Sequence, residues 1–287
     1  QRGYNNLADE MGRMGGVAKR IKLLTQASRI AEQLGDIQSR RFYQPLICEE
    51  LLGQGNWDEA LDIADEFIAE CDAGSGHRQE AVVRSLRAWI RLARGQDDRA
   101  LADWERALAL VRRRPGGTRL DTSTALLAFG ARICAELGRV AEAQALADEV
   151  LSFEAEAVAR DGTELAWVAA RIGRTAELQA KLAEVPHEGG HWRQLADLLL
   201  AGDAAIAADR LGEMTYWLNE ADARLLAANQ LAEQGRDEEA KEQLEKALPF
   251  YRSIGATRFL SEAEALLRPH SEPGTGLGTD LSAPERT

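Results

Sequence analysis

β-Branched residues are scarce in this 287-residue chain, with 9 Val and 11 Ile against 49 Ala and 38 Leu. Ala and Leu are the strongest helix formers, and Val and Ile favour strands. That balance excludes a mainly β fold and argues against a large α/β sheet. Lysine is nearly absent: 5 Lys stand beside 30 Arg, and the formal net charge is −12. The charge is uneven, about −2 over residues 1–150 and −10 over the remainder. Such a chain lacks the basic footprint that a phosphate backbone needs, so nucleic acid is not an expected partner. No run approaches 18 consecutive apolar residues, and no membrane-spanning helix is expected. Three cysteines, Cys48, Cys71 and Cys134, form no C-x-x-C pair. They read as small hydrophobes in a reduced, cytoplasmic setting.

A repeat runs through the sequence. A Gly-x-x-x-x-Ala anchor recurs at Gly55–Ala60, Gly95–Ala100, Gly138–Ala143, Gly202–Ala207 and Gly235–Ala240, with degenerate copies at Gly15 and Gly173. The spacings are 40, 40, 43, 35, 29 and 33 residues. Seven residues before the anchors stand mostly small side chains: Ala8, Cys48, Ala88, Ala131, Ala166, Leu195 and Ala228. Twelve residues after them stand mostly apolar ones, among them Phe67, Ala107, Val150 and Ala247. Glycine ends one helix in a left-handed conformation, and an adjacent Asp or Asn caps the next. Small residues at matched points let paired helices approach closely. Each hairpin keeps an apolar face that only its neighbour covers.

This pattern resembles the tetratricopeptide repeat, a helix–turn–helix unit of about 34 residues. The resemblance covers roughly residues 4–268. It implies an all-α, right-handed α-solenoid of about seven helical hairpins, one elongated domain over residues 1–268, closed by a final helix near Arg258–Leu267. Residues 269–287, with three Pro and three Gly, are expected to form a disordered tail. The closing stretch, with Arg210-Leu211-Gly212, Gly235–Ala240, Phe250–Arg258 and Glu262–Leu267 in that order, is similar to the C-terminal repeats of large bacterial signalling proteins. In those, an adenylate/guanylate cyclase domain and an AAA-type ATPase domain precede the repeats. LuxR-type ATPase regulators carry similar arrays. The N-terminal segment, with Tyr4, Leu7, Met11 and Met14 at helical spacing and no capping residue, reads as the continuation of something longer. The resemblance implies a non-catalytic protein-interaction or sensor module that regulates such a parent. Its implied partners are a peptide or protein in the concave groove, the parent's own ATPase or cyclase domains included.

Motifs for catalysis are thin. His187-Glu188-Gly189-Gly190-His191 matches the H-E-x-x-H zinc-hydrolase pattern by letter, but Pro186 and two glycines argue against the continuous helix that the pattern requires. No phosphate-binding loop, dinucleotide fingerprint or nucleophile elbow is present. No catalytic residue, metal or cofactor is expected. Arg84, Arg87, Arg91 and Arg94 form a stripe opposite Val82, Leu86 and Ile90, which reads as the solvated face of a helix. Among the tryptophans, Trp89, Trp104 and Trp192 read as core, and Trp57 starts the second helix of its hairpin, where the resembled repeat often places an aromatic. Trp167 differs: it sits six residues before its anchor, beside Glu164, Arg171 and Arg174 and away from the stripe of Leu165, Val168 and Ile172. That register lines the concave groove of the resembled repeat, and Arg132 shares it. An exposed Trp beside Arg dominates binding energies. Trp167, Arg171 and Arg132 are therefore the expected partner contacts.

Overall fold

The computed structural model describes residues 17–113, 123–160, 162–185 and 190–268. The expected first helix of the first hairpin, the Arg-Pro-Gly-Gly linker, His187-Glu188-Gly189 and the tail lie outside them. Fifteen α-helices and no strand occur among the described residues. They are α1 (Val17–Gln33), α2 (Ile37–Gln54), α3 (Trp57–Asp72), α4 (Glu80–Ala93), α5 (Asp97–Arg112), α6 (Ser123–Glu136), α7 (Val140–Leu151) and α8 (Ala155–Arg160). There follow α9 (Gly162–Ile172), α10 (Thr175–Ala183), α11 (His191–Ala201), α12 (Ala204–Glu213), α13 (Trp217–Glu233), α14 (Asp237–Ile254) and α15 (Thr257–Leu266). The fold is an all-α solenoid of consecutive hairpins.

The repeat anchors do what their sequence implies. Gly55, Gly95, Gly138, Gly173, Gly202 and Gly235 all have positive φ, between 71° and 86°. Each turns the first helix of a hairpin into the second. The expected capping is mostly absent. Asp36 accepts a hydrogen bond from Ser39 N at 3.0 Å, but Asn56 and Asp203 make no side-chain cap bond. The first turns of α3, α5 and α14 carry Asp58 and Glu59, Asp97 and Asp98, and Asp237, Glu238 and Glu239. Their charge complements the helix dipole without a direct cap.

Small residues set the packing distance. Ala27, Ala81, Ala88, Ala100, Ala107, Ala131, Ala143, Ala166, Ala228 and Ala263 are all fully enclosed. The closest approach is at Gly130, where an added Cβ would lie 1.9 Å from the Trp104 ring. Trp104 of α5 thus lies flush on the backbone of α6. Pro45 and Pro249 sit inside continuous helices. All three cysteines are free and buried, and burial raises the thiols of Cys48 and Cys134 to about 12 and about 11.

The array is not elongated. The first helices of the hairpins (α2, α4, α6, α9, α11 and α13) form an inner wall, and α13 returns to pack on α2. Gln54 donates to the Thr215 carbonyl at 2.8 Å across 161 residues of sequence, and Thr215 itself takes φ 62°. At Gly55 an added Cβ would meet Phe250 and Ile254 at 2.9 Å, so only glycine lets α14 come this near. Arg94 donates to the Ile254 carbonyl at 3.3 Å. The helices have enough accumulated rotation for both ends to meet, so long-range contacts replace an open superhelix.

One titratable group sits in this seam. Glu50 of α2 is buried and ion-paired to Arg20 of α1, with Glu49 and Tyr216 beside them. Burial raises its carboxyl to about 7, against the opposing pull of Arg20. A carboxyl raised in the folded state contributes stability below the unfolded value, near 4.5, that is lost as pH rises through 7. The wild-type melting temperature is expected to fall between pH 5 and pH 8 relative to Glu50→Gln, which mimics the protonated form. The difference should reach roughly 2–3 kcal/mol, and parallel pH–melting curves would count against it. Separately, Gly130→Ala is expected to destabilise the chain by about 1–3 kcal/mol through overpacking on Trp104, measured by urea unfolding.

Candidate functional site

The residues six positions before the anchors converge on the axis of the ring. Trp89 (α4), Arg132 (α6), Trp167 (α9) and Asn229 (α13) belong to four different hairpins. The Arg132 guanidinium lies over the Trp89 ring at 4.2 Å and over the Trp167 ring at 5.0 Å from the centroids. It pairs with Asp222 of α13 and, at 3.2 Å, with Glu164 of α9. Tyr251 of α14 donates to the other Asp222 oxygen at 2.8 Å. Trp89 in turn packs against Phe129 and Phe259, and Phe259 against Tyr251. Four helices, α4, α6, α9 and α13, therefore meet on one cation, and α14 and α15 join through Asp222 and Trp89.

Expected exposure fails here. Trp167 is 3 % exposed and Arg132 6 %, so neither is an open groove contact. Trp89, Arg132 and Trp167, which share the register, instead gather in one buried cluster filled by the array's own side chains. The Trp167 indole N–H has no hydrogen-bond partner, and the cation over its ring compensates only in part. Trp89, read as core, is buried and belongs to the same cluster.

Arg171 alone of the three expected contacts reaches solvent, with its side chain 35 % exposed. It pairs with Glu136 of α6 at 2.9 Å and Glu262 of α15 at 3.2 Å. Asn229 also donates to Glu262, at 3.2 Å. Burial raises the Glu136 carboxyl, and Arg171 and Arg132 oppose that shift. Burial disfavours the charged form of Arg132, but Asp222, Glu164 and Glu136 outweigh it and keep the guanidinium protonated. Beside Arg171 a cavity of about 480 Å³ opens between α9, α11 and α13. Leu199, Leu200 and Leu226 supply an apolar wall; Thr175, Asn229, Gln230 and Glu233 supply polar groups. It lies where α11 and α13 meet mainly through α12.

The arginine stripe of α4 is not a solvated face. Arg84 binds Glu80 at 2.9 Å and Asp72 at 2.6 Å. Arg87 and Arg91 share Asp103, at 2.5 and 2.8 Å, and Arg94 binds Asp58 at 2.8 Å. Carboxylates from α3, α4 and α5 occupy the whole stripe, because α4 is sandwiched between those hairpins. Of the zinc-like pattern, His191 begins α11 and is exposed, and Gly190 precedes it at the N-cap; His187, Glu188 and Gly189 lie outside the described residues. Among the described residues no cluster of His, Cys, Asp and Glu could hold a metal, and no helix is long and apolar enough to cross a membrane.

Sequence reasoning missed Asp222, Glu136, Glu262 and Tyr251, which complete the polar centre. Glu136 and Asp222 lie two and thirteen residues before their anchors, outside the groove register, so the repeat frame gave no signal for them. Trp217, 40 % exposed, was also unmarked.

No family model matches the chain, and no curated protein matches it. Among solved structures it is similar to a tetratricopeptide repeat protein from Parabacteroides merdae, at 16 % identity over 92 % of this chain and all of that one, with a TM-score of 0.41.

Breaking the central pair leaves a buried cation without its counter-charge. Asp222→Ala is expected to cost about 3–5 kcal/mol. Trp167→Ala should cost a similar amount through a core cavity, as is expected of Trp104→Ala. Denaturant unfolding that finds Trp167→Ala within 1 kcal/mol or so of wild type would contradict this placement.

Proposed function

We propose that the chain is a non-catalytic interaction module whose working surface is the concave mouth formed by the inner helices. The observation that carries this reading is the cavity beside Arg171, walled by three separate hairpins. A surface assembled from successive repeats suits an extended peptide or a partner domain. Arg171 is the contact a partner can reach; Arg132 and Trp167 lie behind it and hold the wall in place. The similarity of the closing repeats to those of cyclase–ATPase signalling proteins supports a finer reading: the module regulates a parent carrying those domains. Regulation would then follow from binding a partner differently in two states of that parent.

The isolated chain is expected to show no nucleotide cyclisation and no ATP hydrolysis. A parent lacking these residues should keep its catalytic turnover and lose its response to signal. Turnover by the isolated chain, or a normal response from the shortened parent, would overturn the reading.

A further inference from the structure

The concave mouth already holds a helix. α15 lies across the C-terminal ends of the inner helices and touches four of them. Arg258 donates to the carbonyls of Leu92 at 3.3 Å and Glu136 at 2.9 Å, and it pairs with Asp97. Phe259 inserts between Trp89 and Tyr251, with ring centroids 5.6 and 5.4 Å away. Glu262 occupies Arg171 and Asn229. Basic, aromatic and acidic groups at positions i, i+1 and i+4 of one helix thus read three features of the mouth: helix-end carbonyls, an aromatic slot and a guanidinium.

We propose that α15 is an intramolecular stand-in for a partner helix of the same pattern, Arg-aromatic-x-x-Glu, which binds by displacing it. This rests on the interaction-module reading and names the partner of that site. Three observations support exchange rather than permanent packing. α15 has only ten residues and buries only Phe259 and Ala263, too little for an independently stable helix. It is joined to α14 through Gly255, whose φ of +66° marks a sharp turn. The cavity between α9, α11 and α13 is lined by Arg171 and Asn229, the two residues that hold Glu262. An incoming carboxylate can therefore reach its receptor before α15 has left. The resident helix is tethered and competes at high effective concentration, so the free array is largely closed to outside ligands.

The probe is a fluorescent synthetic peptide of residues 255–268, titrated by anisotropy into the full chain. Phe259→Ala in the chain weakens the resident helix, and the variant should bind the peptide at least tenfold more tightly than wild type does. A peptide carrying Glu262→Arg should bind that variant at least tenfold more weakly. Adding Arg171→Glu to the chain should restore its binding, because the exchange keeps one guanidinium between two carboxylates. Equal peptide affinity for wild type and the variant, or no restoration by the charge swap, overturns the proposal. Should Phe259→Ala fail to fold, hydrogen exchange on wild type decides: α15 amides exchanging at least tenfold faster than those of α13 support it, and equal protection overturns it. A concentration-dependent dimer that buries the peptide site would make a second copy the occupant and overturn it too. Failed peptide exchange leaves the regulatory deletion test untouched, and a parent that responds normally after deletion leaves peptide exchange untouched, so the two readings fail separately.

Discussion

Everything in the molecule depends on the pairing of Arg132 with Asp222, which joins the third complete hairpin to the sixth across 90 residues of sequence. A repeat array ordinarily rests on nearest-neighbour contacts alone. Here the inner wall must also satisfy a buried charge from the opposite side of the ring. The pair cannot relax gradually: a guanidinium taken from water without its carboxylate is strongly unfavourable. Closure is therefore close to all-or-none, and the seam at Gln54, Thr215 and Gly55 must form together with the centre. Opening the seam exposes Arg132, Asp222 and Glu136 at once.

The repeat was legible because its physics is local. A glycine at positive φ and small residues at fixed offsets follow from the geometry of one hairpin, and six anchors obey it. The shared position of Trp89, Arg132 and Trp167 six residues before their anchors was legible too, and the three meet in one cluster. Exposure was not legible. Whether Trp167 is open or enclosed depends on the summed rotation of all the hairpins, and no window of sequence contains that sum. Asp222, Glu136 and Glu262 were illegible for the same reason: each is an ordinary helical carboxylate until the ring brings an arginine to it. The stripe on α4 shows the complementary error. Arginines opposite an apolar face look solvated when one helix is viewed alone, yet Asp58, Asp65, Asp72 and Asp103 come from the helices packed on both sides.

Arginine's dominance over lysine has a structural use in this setting. Arg132 bridges two carboxylates and covers two indole rings, Arg87 bridges Asp65 and Asp103, and Arg258 serves two carbonyls and a carboxylate. A planar, five-donor group can satisfy several partners from several helices while stacking on aromatics; an ammonium cannot. The same multiplicity stops the buried wall from being a liability, since few charged atoms are left without a partner.

That arrangement also determines where a partner can act. Most of the concave face is committed to itself, through contacts whose loss would unfold the inner wall. The contacts of α15 are of another kind. They lie at the mouth, where Arg258 and Glu262 stay partly exposed while Phe259 is buried, and they engage groups that remain anchored when the helix leaves: Arg171 keeps Glu136, Trp89 keeps Arg132 and Phe129, and Tyr251 keeps Asp222. Removing α15 therefore leaves the central pair intact. A ring closed by a deep charge pair and sealed by a short helix that inserts one aromatic side chain has separate closing and binding contacts, and the second can exchange while the charge pair stays in place.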